Sequence, residues 1–136
     1  MSKNPIEVGV ACIFRDGKYL IQNRCGKSFA THWEFPGGKR EEGETFSQCV
    51  EREIYEELGV WVLAQPAFYE KTAEFNGKIF KLSFHHSEIL EGDPEPMEGQ
   101  TLQWVSPADF AFVKFLPTNL STLEILKKGR QNEATN

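Results

Sequence analysis

Cysteine is scarce in this chain. Cys12, Cys25 and Cys49 are spread over 136 residues with no CxxC spacing, which excludes a disulfide framework or a zinc ribbon and favours a reducing compartment. Long apolar runs are lacking too. The stretch from Val8 to Phe14 is too short to cross a bilayer, and Glu7 before it is the wrong flank for a signal segment. Nor is there an excess of positive charge: 15 Lys and Arg stand against 20 Asp and Glu, net −5. That excludes a surface that coats nucleic acid by charge alone. A polyanionic ligand needs something else to attract it, and a divalent cation is the obvious candidate. The chain is expected to be soluble and cytoplasmic, with no membrane or nucleic-acid partner.

The patterning is that of one mixed domain. No repeat or low-complexity segment interrupts it, and the length suits a single core. Residues 1–129 read as that domain and 130–136 as a polar C-terminal tail. Strands are expected at Val8–Phe14, Tyr19–Arg24, Trp61–Leu63, Phe68–Phe75, Ile79–Ile89 and Thr101–Val105, from apolar runs bounded by turn residues. Asn76-Gly77 is a hairpin signal, and Phe35-Pro36-Gly37-Gly38 reads as a sharp turn. Helices are expected over 46–58 and from Asn119 to Lys128. For the first, Thr45 and Gln48 have capping-box spacing and Gly59 suits the C-terminal cap. Together these elements predict an α/β helix–sheet–helix sandwich.

The 46–58 helix carries charges on the wrong side. With Phe46 at 0°, the apolar Phe46, Cys49, Val50, Ile54 and Leu58 span about 300° through 0° to about 120°. Glu57 then falls at about 20°, Glu53 at about 340° and Glu56 at about 280°. Three carboxylates at i, i+3 and i+4, two of them against the core, repel unless they are protonated, paired or metal-bound. Hard oxygen donors of this kind suit Mg²⁺ or Mn²⁺. A solvated acidic helix paired with Arg52 and Lys39 is the plainer alternative. Gly37 and Gly38 allow a close backbone approach, and their carbonyls can ligate a metal.

From Gly38 to Val60 the chain resembles the Nudix box, Gx5Ex7REUxEExGU with U a bulky aliphatic residue. The matching residues are Gly38, Glu44, Arg52, Glu53, Ile54, Glu56, Glu57, Gly59 and Val60. The resemblance implies a Nudix α/β/α sandwich with a mixed sheet and a loop–helix–loop box. It also implies Mg²⁺- or Mn²⁺-dependent hydrolysis of a nucleoside diphosphate linked to another moiety. Glu53, Glu56 and Glu57 would be metal ligands, Arg52 and Glu44 the pair supporting the box, and a Gly37 or Gly38 carbonyl a further ligand. A glutamate would take the proton from the attacking water.

Within that family the approach Trp33–Lys39 is similar to the MutT type, which splits nucleoside triphosphates into monophosphate and pyrophosphate. Glu98 stands where that type carries a further metal-binding or basic glutamate, although it also reads as part of an acidic loop with Glu91, Asp93 and Glu95. Arg24 stands where a phosphate-contacting arginine is placed, or is an exposed strand-end charge. Lys39 is assigned with it to the substrate. Asn119 stands where enzymes selective for 8-oxoguanine carry an asparagine, or is a helix N-cap. Phe35, Phe75 or Phe80 could stack on a base. The small-molecule substrate implied is 8-oxo-dGTP. A CTP-type pyrophosphohydrolase is the rival, with an RNA 5′-pyrophosphohydrolase and a non-catalytic nucleotide-binding module further off. Monomer and dimer stay open, and His85 and His86 receive no role.

Overall fold

The computed structural model describes residues 4–23 and 31–134. In chain order it contains β1 (Ile6–Arg15), β2 (Lys18–Asn23), β3 (Trp33–Glu34), β4 (Gly37–Lys39), α1 (Phe46–Leu58), β5 (Val62–Ala64), β6 (Tyr69–Phe75), β7 (Lys78–Ile89), β8 (Thr101–Val105) and α2 (Leu120–Ala134). Short 3₁₀ turns at Pro107–Phe112 and Pro117–Asn119 precede α2. No helix among the described residues is long and apolar enough to cross a membrane.

β1 is the axis of a mixed sheet. It runs parallel to β7, from Ile6 opposite Phe80 to Ile13 opposite Ser87, and hands its last residues to β2 through a tight turn at Asp16-Gly17. Because side chains alternate across a strand, one apolar run serves two layers. Val10 and Cys12, with Tyr19 and Ile21 of β2, pack with Phe84, Phe110, Phe115, Leu123 and Leu126 on the α2 side. Ala11, Ile13 and Leu20 pack with Val50, Ile54, Leu58 and Val60 on the α1 side. This is the expected α/β/α sandwich. Cys12 is fully buried, and desolvation pushes its thiol pKa far up, as befits an inert core thiol.

Several element boundaries differ from expectation. α2 continues through Gly129 to Ala134, where a polar tail was expected, and it starts at Leu120 after the 3₁₀ turn holding Asn119. The expected turn at residues 35–38 is in part a strand. Gly37–Lys39 pairs antiparallel with Val8–Val10, and a Cβ on Gly37 would run into the Gly9 carbonyl. The contact is too close for any side chain, which is why a strand is hidden in a Gly-Gly pair.

Candidate active site

α1 is held at both ends by the groups the spacing predicted. Thr45 Oγ1 accepts the Gln48 N–H at 3.0 Å while Gln48 Oε1 accepts the Thr45 N–H at 2.8 Å, and Gly59 closes the helix with φ 69°. Such caps satisfy backbone groups that would otherwise lack partners. Ile54 and Leu58 then face the core, and Glu53 and Glu57 sit at its margin, half-buried; Glu56 is exposed. The wheel geometry therefore holds for all three glutamates, two against the core and Glu56 outside the apolar arc.

Arg52 is the hub. Its guanidinium donates twice to Glu44, from Nε at 3.1 Å and from Nη2 at 2.7 Å. Nη1 donates to Glu53 Oε1 at 3.0 Å and lies 3.4 Å from Glu56, and Nη2 also reaches the Lys39 carbonyl at 3.0 Å. Two parallel bonds to one carboxylate form the strong, directional kind of ion pair. Hydrogen bonding to Arg52 holds the Glu44 pKa at about 2, and the same partners raise that of Arg52. Glu53 moves the other way. Burial raises its pKa against the opposing pull of Arg52, and Glu56 and Glu98 add repulsion.

Gly38 lies directly under that carboxylate: a Cβ there would fall on the Glu53 carboxyl group. The Gly38 carbonyl also accepts a weak Cys49 Sγ–H bond at 3.4 Å. Gly38→Ala is therefore expected to expel Glu53 and lower kcat by about tenfold to a hundredfold, since a displacement near 1 Å in a reacting constellation can cost about a hundredfold. Steady-state kinetics beside a melting curve would show it. A kcat equal to that of the parent would mean the Glu53 position is immaterial.

A cavity of about 310 Å³ opens beside this cluster. Gly37, Gly38, Lys39, Glu57 and Glu98 line one part of its wall; Val8, Val10, Phe80 and Leu82 of the sheet supply apolar surface, and Gln22, Asn23, Glu34 and Asn119 a second polar set. Glu98 reaches it because its loop docks on the end of α1, where the Leu58 and Glu57 carbonyls accept from the Glu95 and Met97 N–H groups at 2.9 and 3.0 Å. The Glu57 and Leu58 carbonyls are among those a helix end leaves without internal partners. Asn119 is buried, and its amide is engaged away from the start of α2. Oδ1 accepts the Phe35 N–H at 3.0 Å and Nδ2 donates to Thr118 Oγ1 at 3.2 Å. That settles the amide's orientation, because a backbone N–H can only donate.

Other expectations shift. The Phe35 ring is 3% exposed and stacked on Phe115 at 5.5 Å; it is a core residue that borders the cavity at its edge. Phe75 is exposed at the β6–β7 turn and does not border the cavity. Of the three phenylalanines considered, Phe35 and half-buried Phe80 both line the cavity, and Phe80 offers the more open surface. Arg24 lies outside the described residues. Among the described residues, no three His, Cys, Asp or Glu side chains are gathered into one cluster: Glu53 and Glu56 turn to Arg52, while Glu57 and Glu98 border the cavity. Gln22, Asn23, Glu34 and Gln100 escaped notice in the sequence, since isolated polar residues in strands and loops carry no spacing signal. Only the proximity of Gln22 and Asn23 to Arg24, and of Glu34 to the Gly-Gly pair, could have drawn attention to them.

The NUDIX domain family model matches residues 3–127. The chain is 36% identical over 120 residues to the CTP pyrophosphohydrolase of Escherichia coli, covering 88% of this chain and 89% of that protein. It is 33% identical over 134 residues to the 8-oxo-dGTP diphosphatase of Haemophilus influenzae, covering 97% and 98%. The solution structure of the E. coli ORF135 protein superposes with a TM-score of 0.76 at 33% identity, over 92% of this chain and 90% of that one.

Proposed function

We infer, from the premise that the chain belongs to the NUDIX family, that it is a divalent-metal-dependent nucleoside triphosphate pyrophosphohydrolase that favours 8-oxo-dGTP. The observation that carries this reading is the cavity, whose lining includes the carboxylates Glu57 and Glu98, the Gly37–Lys39 strand and Asn119. The residues fit a hard cation: Glu53, Glu56, Glu57, Glu98 and the Gly37 or Gly38 carbonyl offer oxygen donors only. Gly38 also leaves the Glu53 carboxyl the space a side chain would fill. When bound, Mg²⁺ or Mn²⁺ neutralises phosphate charge and makes a coordinated water more acidic.

The chain's own residues do the rest. Lys39 pairs with a phosphate oxygen at the rim. Glu98 accepts the proton of the water that attacks phosphorus, and pyrophosphate leaves. Arg52 holds Glu53 and Glu44 so that the box keeps its shape. Val8, Val10, Phe80 and Leu82 provide an apolar seat for the base. Asn119, with Oδ1 directed to the Phe35 N–H, retains a second oxygen lone pair and a second amide hydrogen. These suit the N7–H and O6 of 8-oxoguanine.

The test is kcat/KM for 8-oxo-dGTP against dGTP, followed by pyrophosphate release. A ratio of about 100, roughly 2.7 kcal/mol, is expected, and Asn119→Ala is expected to lower it at least about tenfold. That variant also strands the buried Phe35 N–H, which costs about 1–3 kcal/mol of stability. A ratio of one sinks the oxidised-base reading. The similarity to a CTP pyrophosphohydrolase supports a second reading, in which CTP is turned over faster than either purine.

A further inference from the structure

We propose that Gln100 is a positioning residue for hydrolysis, its amide fixing Glu98 relative to Glu57; this rests on the role given above to Glu98. Glu98 is exposed and lies in a connection without regular structure between β7 and β8. A carboxylate so placed has no strand or helix of its own to aim it, yet reacting groups must be held to a fraction of an ångström.

The Met97 N–H already ties the neighbouring residue to the Glu57 carbonyl, and one side chain adds the constraint at residue 98 itself. Gln100 Oε1 accepts the Glu98 N–H at 2.8 Å, closing a turn across Gly99. Gln100 Nε2 donates to the Glu57 carbonyl at 3.2 Å, and it stands 3.5 Å from Gln22 Oε1. Gln22 Nε2 donates in turn to Glu34 Oε2 at 3.2 Å. The backbone of residue 98 is thus tied to the last turn of α1, the turn that carries Glu57, and to the cavity floor on β2. Because the Glu98 N–H must donate and the Glu57 carbonyl must accept, the amide has one orientation. A carboxylate at position 100 could not make both bonds.

The test is a double-mutant cycle between Gln100→Met and Glu98→Gln, with kcat and KM measured on dGTP in Mg²⁺. Amide hydrogen exchange at residue 98 is read by NMR in the same proteins. Gln100→Met is expected to lower kcat about tenfold with KM within about twofold, and to cause no further loss once Glu98 is Gln. Exchange at residue 98 is expected to quicken about tenfold in either background. Gln100→Asn, whose amide falls one methylene short, is expected to repeat the pattern, with melting midpoints confirming the fold. An undiminished kcat, an equal loss in both backgrounds, or unchanged exchange overturns the inference. If Glu98→Gln alone keeps the parental kcat, the role of Glu98 itself fails, and that of Gln100 with it.

Discussion

Glu57→Gln is expected to lower kcat by about two to three orders of magnitude while leaving the melting midpoint within about 3 °C of the parent. The two side chains have nearly the same volume, and Glu57 is only half-buried at the edge of the α1 packing, so the core has little to lose. What changes is the charge: a carboxylate that borders the cavity with Glu98, Gly37 and Gly38 becomes a neutral amide with weaker donor oxygen. Glu51→Gln is the matched control on the same helix. Glu51 Oε2 accepts the Ala64 N–H at 3.0 Å, a bond the Gln carbonyl oxygen can keep, and activity should stay within about twofold. Parental turnover in Glu57→Gln would remove this residue from the site.

Arg52→Met is expected to be the most destabilising single change in the box. It leaves Glu44 and Glu53, with side chains 15% and 17% exposed, and the more open Glu56 without their shared cation. Breaking a buried pair costs about 3–5 kcal/mol; with Arg52 itself 24% exposed, solvent screening brings this to about 2–4 kcal/mol. For a domain of this size the melting midpoint falls by about 10 °C. Arg52→Lys should recover less than half of that, because one ammonium cannot reproduce the forked bonds to Glu44.

The loss also depends on pH in a definite direction. Glu44 is held at about 2 in the folded protein against an ordinary 4.5. Its contribution is therefore complete above pH 4.5 and fades as the pH falls toward 2. Glu53, raised by burial, works oppositely: its ionised form costs stability at neutral pH, and protonation relieves that cost. Both trends narrow the gap between parent and Arg52→Met in acid. Urea midpoints at pH 7 and pH 3 measure it, and a gap that stays the same in acid would show that Arg52 stabilises by packing instead of charge.

The sequence by itself determined the family, the two-layer core and the box helix with its caps. Each of these is written in local spacing: the apolar run of β1 that serves two layers, Thr45 and Gln48 three residues apart, and Arg52 and the glutamates at positions an α-helix brings to one side. The period of a strand or a helix carries such features without knowledge of the rest of the chain. Only the tertiary structure decided what faces the cavity. Gly37 becomes a strand residue because β1 lies against it, and Phe35 becomes core because Phe115 stacks on it from 80 residues away. Asn119 is directed by a backbone N–H 84 positions distant, and Gln100 connects Glu98 to α1. Contacts of that range have no period to read. They are set by which surfaces the packed sheet and helices bring together.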